Sequence, residues 1–237
     1  MKAMILAAGR GTRLRPLTNH SPKALVEIGG RTLLEITLKR IASFGIREVI
    51  VNAHHFADSI VEYLQKNHNF GLQIEISREE VLLDTGGALK KASWFFAGDS
   101  EPFLLHNVDV ISTIDLRRMV QFHEEHQPLA TLAVQGRKTS RALLFDREGQ
   151  LRVRQEGEVP AGMDALAFSG IHVISPRLLG LITEQGTFSI IDSYLRLAAQ
   201  GERILAFRAD QYYWQDLGKP ENLLQAGKDI QSGKLQL

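Results

Sequence analysis

The chain has 237 residues, 44% of them hydrophobic, with 28 basic and 27 acidic side chains and no cysteine. That apolar content suits a folded α/β protein with a sizeable core, and the near balance of charge excludes the long basic stripe that nucleic-acid binding requires. Missing cysteines exclude disulfides, thiol nucleophiles and thiolate metal sites.

The first apolar run, AMILAA, is short and ends at glycine, which predicts a buried strand of a parallel sheet. TLLEITLKRIASFG follows with Leu34, Leu38 and Ile41 at helical spacing and a stop at Gly45. REVIVNAHH predicts a second strand and FADSIVEYLQKNH a second helix; GLQIEISREE predicts a third strand, and GGALKKASWFFA a third helix opened by two glycines. EPFLLHNVDVI reads as a fourth strand ending in a polar turn, and DLRRMVQFHEEH as a helix. Beyond it ATLAVQ, ALLFD, QLRVRQ and LAFSGIHVIS are strands joined by short turns such as that from Asp146 to Gly149. PRLLGLIT and FSIIDSYLRLAAQG read as helices, RILAFRA and YYWQDLG as strands, and PENLLQAGKDIQ as a closing helix that starts at Pro220.

Strands alternating with helices predict a single α/β domain with a Rossmann-like, doubly wound, mixed but mostly parallel sheet. Residues 1–127 are expected to form an α/β half and residues 128–237 a smaller, more antiparallel half. The apolar run before Arg10 is too short for a signal-peptide core, and no later run reaches membrane-spanning length. A cytoplasmic protein with no membrane and no nucleic-acid partner is expected, as a monomer or homodimer.

Charge is not spread evenly. Lys2, Arg10, Arg13, Arg15 and Lys23 precede the first acidic residue, Glu27, so the segment LAAGRGTRLRPLTNHSPK is wholly basic although the chain is nearly neutral. A local field of this kind favours a small anion. Gly9 and Gly11 allow backbone N–H groups to approach a phosphate, Arg13 offers a fork of donors and Lys23 a point charge. Neither the dinucleotide fingerprint nor the P-loop fits: the first needs a glycine where Leu14 stands, and the second needs Gly-Lys followed by Ser or Thr. A solvated basic loop is the plain alternative on these residues alone.

LAAGRGTRLRPLTNHSPK resembles, almost position by position, the signature of the nucleotidyltransferases that activate sugar 1-phosphates. The likeness continues in LLDTGGAL at 82 to 89, FLLHNVDV at 103 to 110, FSGIHVIS at 168 to 175 and WQDLGKPENL at 214 to 223. It implies the nucleotide-diphospho-sugar transferase fold and Mg2+-dependent transfer of a nucleotidyl group from a nucleoside triphosphate to a sugar 1-phosphate. By this resemblance Leu6, Ala7, Ala8, Gly9, Gly11, Thr12, Arg13, Lys23, Thr85, Gly86 and Asn107 bind the nucleotide, with Arg13 and Lys23 also catalytic. Asp109 of N-x-D and Asp216 of W-x-D-x-G would hold the metal, and Phe168, Ser169 and Gly170 would lie near the sugar.

The chain looks most like the N-acetylmuramate 1-phosphate uridylyltransferases, which implies UTP and N-acetylmuramate 1-phosphate in cell-wall recycling. Mannose 1-phosphate guanylyltransferases, using GTP, are the next resemblance, and a catalytically silent regulatory subunit is a third reading. LRVRQEGEVP lacks the E-K-P segment whose lysine grips the sugar phosphate in many relatives, so that anchor stays open. Arg137, Lys138 and Arg141 are candidates against a reading as surface charges, and Lys219 against one as a helix-start residue. Asp84 is either a guanine acceptor or a turn residue. His54, His55, His106 and His172 match no zinc spacing and are expected to be packed or hydrogen-bonded. Trp94, Phe95 and Phe96 are expected in the core or an interface.

Overall fold

A computed structural model of the protein describes residues 1–236. In chain order its elements are β1 (Ala3–Leu6), β2 (Glu27–Ile28), β3 (Arg31–Thr32), α1 (Leu33–Ser43), β4 (Glu48–Ala53), α2 (Ala57–Lys66), β5 (Gln73–Arg78), α3 (Asp84–Lys91), β6 (Phe103–Asn107) and β7 (Val110–Ser112). They continue as α4 (Leu116–His126), β8 (Ala130–Gln135), β9 (Leu143–Phe145), β10 (Leu151–Arg154), β11 (Asp164–Ile174), α5 (Ile190–Ala199), β12 (Ile204–Arg208), β13 (Trp214–Asp216) and α6 (Pro220–Gln231). Short 3-10 turns fill several connections. Two of them replace helix expected from the sequence. Pro176–Leu181 is only six residues with Gly180 inside, and Ser93–Phe96 follows the end of α3 as a separate turn. The latter exposes Trp94 and buries Phe95 and Phe96.

The chain divides into two compact units, neither of them one continuous stretch. The first comprises Met1–Leu82, His106–Ile114 and Tyr213–Leu237, and the second Leu83–Leu105 and Asp115–Tyr212.

In the first unit β1, β4 and β5 run parallel, with Leu6 opposite Asn52 and Asn52 opposite Ser77. Their residues Ile5, Ile50 and Val51 are fully buried, as are Leu34, Leu38 and Ile41 on the inward stripe of α1. That helix forms where expected because Thr32 caps it, its Oγ1 accepting the Glu35 amide at 3.1 Å in a Thr-x-x-Glu start. A small antiparallel ribbon pairs β7 with β13, placing Val110 opposite Asp216. This ribbon joins residues a hundred positions apart just beyond the end of β6.

In the second unit β11 runs antiparallel to β8 and to β9, β9 pairs antiparallel with β10, and β12 lies parallel to β8. Helix α4 packs on β8 and β11, and α5 on α3 and β10. The β1, β4, β5 sheet of the first unit is thus parallel, with β2–β3 and β7–β13 as small antiparallel ribbons, and the second unit is largely antiparallel.

Candidate active site

The glycine loop leaves β1 at Leu6, whose carbonyl accepts the Val108 amide at 3.1 Å. Ala7 and Ala8 are buried, and the Ala7 amide donates to Asn52 Oδ1 at 2.6 Å. Gly11 has φ 62, a left-handed conformation natural to glycine, and its carbonyl accepts both the Leu14 amide and Thr18 Oγ1 at 2.8 Å. A methyl group there would stand 2.9 Å from Thr18 and 3.0 Å from Lys23, so glycine is required by space as well as by backbone. Gly9, by contrast, faces open space. The loop is therefore folded on itself at Gly11 and open at Gly9, the side from which an anion can reach backbone N–H groups.

Thr12–Leu14 form a 3-10 turn that leaves Thr12 and Arg13 exposed while Leu14 is buried. Arg10, Arg15, Thr18, Asn19, His20 and His55 line a neighbouring cavity of about 530 Å³, which brings two of the loop's cations together. Lys23 opens a second 3-10 turn behind Pro22 and is itself buried, and its Nζ donates to Asp109 Oδ2.

Asp109 stands in the connection from β6 to β7, and its carbonyl accepts the Leu217 amide at 2.8 Å. Asp216 ends β13, where its Oδ1 accepts the Gly218 amide at 2.6 Å and its carbonyl accepts Asn222 Nδ2 at 2.7 Å. Gly218 is the point of convergence. A methyl group on it would lie 2.6 Å from Arg13 Nη2, 2.7 Å from Asp216 Oδ1 and 3.2 Å from Lys23 Nζ. Arg13, Lys23 and Asp216 therefore meet around one glycine, and Asp109 joins them through Lys23. Sequence reading missed Gly218 as their meeting point, although its place in Trp-x-Asp-x-Gly was the available signal.

Mg2+ takes oxygen ligands, usually one or two carboxylates completed by waters and substrate phosphates. Asp109 and Asp216 fit that demand, and the Lys23 ammonium resting on Asp109 shows that the place accepts a cation. Among the described residues no cluster of three or more His, Cys, Asp or Glu could hold a metal by itself, so substrate oxygens would have to complete the shell.

Behind these residues the strand end is held by buried polar contacts. His106 is fully buried, its Nδ1–H donates to the Asn107 carbonyl at 2.8 Å, and burial, aided by the Arg40 charge, pushes its pKa down to about 4. Asn107 is half-buried, with its side-chain oxygen enclosed and without a hydrogen-bond partner among the described residues. The Arg40 guanidinium donates to the carbonyls of Ser112 and Ile114, fixing the far end of β7.

Thr85, Gly86, Phe168, Ser169 and Gly170 belong to the second unit. Thr85 and Gly86 lie in the first turn of α3, and there they clamp the segment that enters α5. Thr85 Oγ1 accepts the Ile190 amide at 3.0 Å, the Gly86 amide donates to the Phe188 carbonyl at 3.0 Å, and a methyl on Gly86 would stand 2.3 Å from the Phe188 ring. Gly87 is equally constrained, 2.4 Å from the Gly186 carbonyl oxygen by the same construction. Both glycines are needed for packing within this unit. Asp84 has φ 58, and its Oδ1 accepts the Thr85 amide at 2.6 Å, the local bond of a turn residue at a helix start.

Phe168, Ser169 and Gly170 occupy an irregularity of β11, where the register against β8 shifts between Phe168 and His172 and Gly170 has φ 76. Ser169 is fully buried, the Phe168 ring meets His172 edge-on at 4.5 Å, and His172 shares a hydrogen bond of 2.9 Å with the buried Tyr194 hydroxyl. Arg137 donates through Nη2 to the Phe168 carbonyl at 2.7 Å, which ties it to this strand, whereas Lys138 and Arg141 are exposed. Lys219 directly precedes Pro220 at the start of α6, exposed, with Glu221 3.8 Å away. His54 Nδ1–H donates to the Glu79 carbonyl at 2.9 Å, and His55 lines the basic cavity.

The chain is 34% identical to an N-acetylmuramate alpha-1-phosphate uridylyltransferase of Caulobacter vibrioides, over 94% of each sequence. It is 29% identical to a mannose-1-phosphate guanyltransferase of Yarrowia lipolytica over 94% of its own length, but spans only 62% of that protein. Among solved structures, a UDP-glucose pyrophosphorylase from Acinetobacter baumanii superposes with a TM-score of 0.79 over 98% of both chains at 18% identity, which shows a shared fold. Residues 2–233 match the family model described as nucleotidyl transferase, nearly the whole chain, and the chain belongs to this family.

Proposed function

We propose that the protein transfers a nucleotidyl group from a nucleoside triphosphate to a sugar 1-phosphate, releasing pyrophosphate and forming a nucleoside diphosphate sugar. The observation that carries this reading is the convergence of Arg13, Lys23 and Asp216 on Gly218, with Asp109 held by Lys23. Two cations and two carboxylates in one place suit phosphates in the company of a divalent cation better than either alone.

A sugar phosphate oxygen attacks the α-phosphorus in line and forms the new P–O bond. The bond from that phosphorus to the α–β bridging oxygen breaks, and its electron pair leaves with pyrophosphate. No general base is required, because a phosphate monoester, with a second pKa of about 6, is already largely ionised near neutral pH. Arg13, exposed beside the open face of the glycine loop, offsets charge growing on the departing pyrophosphate. Lys23, held by Asp109, stands ready for the α-phosphate and the attacking oxygen. Asp109 and Asp216 would hold Mg2+, whose contribution when bound is to neutralise phosphate charge and orient the reacting groups. The protein's own work is positioning and electrostatics.

UTP and N-acetylmuramate 1-phosphate are the pair we favour, in a cytoplasmic enzyme of cell-wall recycling. Support comes from the Caulobacter relative, which this chain matches over nearly all of both lengths. GTP with mannose 1-phosphate is the second pair, supported by the guanyltransferase relatives. A silent regulatory subunit would have no use for both carboxylates and both cations together. The test is incubation with Mg2+ and each nucleoside triphosphate against a panel of sugar 1-phosphates, following pyrophosphate and nucleotide sugar. Product with one pair identifies the substrates, and no product with any pair overturns the activity.

A further inference from the structure

The phosphate loop is tied at its root by a buried chain of three groups from neighbouring strands. The Ala7 amide donates to Asn52 Oδ1 at 2.6 Å, and Asn52 Nδ2 donates to Glu79 Oε1 at 2.7 Å. Asn52 ends the hydrogen-bonded register of β4 opposite Leu6, and Glu79 follows β5 directly. Asn52 is 3% exposed and Glu79 5%, an unusual depth for a carboxylate. Glu79 is held there through its backbone as well, its amide donating to the Ala53 carbonyl at 2.8 Å and its carbonyl accepting His54 Nδ1 at 2.9 Å.

A carboxamide presents an acceptor at one end and donors at the other. The Ala7 N–H requires the acceptor, and a flipped Asn52 would set two donors against each other at the first amide of the loop. What selects the orientation is the partner at the other end. Glu79 Oε1 offers an acceptor, so Nδ2 turns to it and Oδ1 turns to Ala7. We infer that Glu79 is a positioning residue for the phosphate loop, acting through the orientation of the Asn52 amide. It touches no substrate; its effect is to hold the amides that follow Ala7 where Gly9 opens towards a ligand.

A buried network that merely adds stability would give the same contacts, so the test must read the loop. Three single variants and one double variant separate the cases. Glu79→Gln keeps an acceptor oxygen and leaves the loop as in the wild type. Asn52→Asp sets two carboxyl groups face to face, and Glu79→Met leaves Asn52 Nδ2 without its acceptor. Each of these two is expected to speed hydrogen exchange of the Ala7 amide by about tenfold or more and to lower kcat/KM by a similar factor, chiefly through KM for the triphosphate. The double variant Asn52→Asp/Glu79→Gln exchanges donor for acceptor between the two positions and restores both readouts. That restoration is the decisive result, and it holds whether or not Glu79→Met folds.

The inference is overturned if the double variant is no better than Asn52→Asp, or if Glu79→Met folds and leaves Ala7 exchange unchanged. The kinetic arm rests on the proposed transfer reaction, whereas amide exchange does not. A protein inactive towards every substrate pair thus sinks the function and still leaves this inference to be judged by exchange.

Discussion

The Lys23 ammonium donates to Asp109 Oδ2 across 86 positions of sequence, with side-chain exposures of only 9% and 20%. A half-enclosed ion pair of this kind joins the glycine loop to the connection between β6 and β7 that carries Asp109. Removing one partner leaves the other charge uncompensated in a place with little water.

Lys23→Met is therefore expected to lower turnover by about 10²–10³, the usual effect of losing one charge-assisted contact to a reacting phosphate. It is also expected to make folding depend on a divalent cation, because Asp109 loses the counter-charge that Lys23 supplies. Thermal melts with and without Mg2+ check this: the ion should raise the Tm of Lys23→Met more than that of the wild type. Equal increments would remove the assignment of Asp109 as a ligand.

Gly218→Ala tests the convergence itself. The added methyl would stand within 3.2 Å of Arg13, Asp216 and Lys23 at once, so at least one of them must move. Displacement of a phosphate-handling group by about 1 Å is expected to lower kcat/KM by about 10²-fold. Far-ultraviolet circular dichroism should remain that of the wild type, which separates a displaced site from a lost fold.

His123 makes stability depend on pH. It is buried in the second unit, where Nδ1 accepts Thr131 Oγ1 at 2.9 Å and Nε2–H donates to Ser175 Oγ at 3.0 Å. Burial pushes its pKa down to about 4, below the ordinary 6.5 of the unfolded chain. Between these values the unfolded state binds the extra proton, so stability is complete above pH 6.5 and falls as the pH is lowered towards 4. At about 1.4 kcal/mol per unit of displacement the loss is on the order of 3 kcal/mol, seen as a falling urea midpoint. His123→Gln is expected to flatten this slope, and an unchanged slope would show that other groups set it.

Local chemistry made much of this legible in the chain. Leu34, Leu38 and Ile41 marked α1 and Pro220 marked the first turn of α6, because helical spacing and the fixed φ of proline act over a few neighbouring residues. The basic loop of LAAGRGTRLRPLTNHSPK was likewise legible, since its glycines, arginines and lysine lie within one short segment.

Other features depended on partners far along the chain. Thr85 and Gly86 enter the nucleotide-binding set by resemblance alone; their contacts with Ile190, 105 positions from Thr85, and with Phe188 came only from the structure. Asn52 and Glu79 carried no motif, because a buried amide and a buried carboxylate acquire meaning only from what they face. Sequence alone determined the alternation of elements, the basic loop and the residue types able to handle phosphate, since these follow from local propensity and charge. Only the tertiary structure decided that Arg13, Lys23 and Asp216 meet at Gly218, with Asp109 joined through Lys23. That meeting requires β13 to pair with β7, and strand pairing at such a distance is settled by packing of the whole unit.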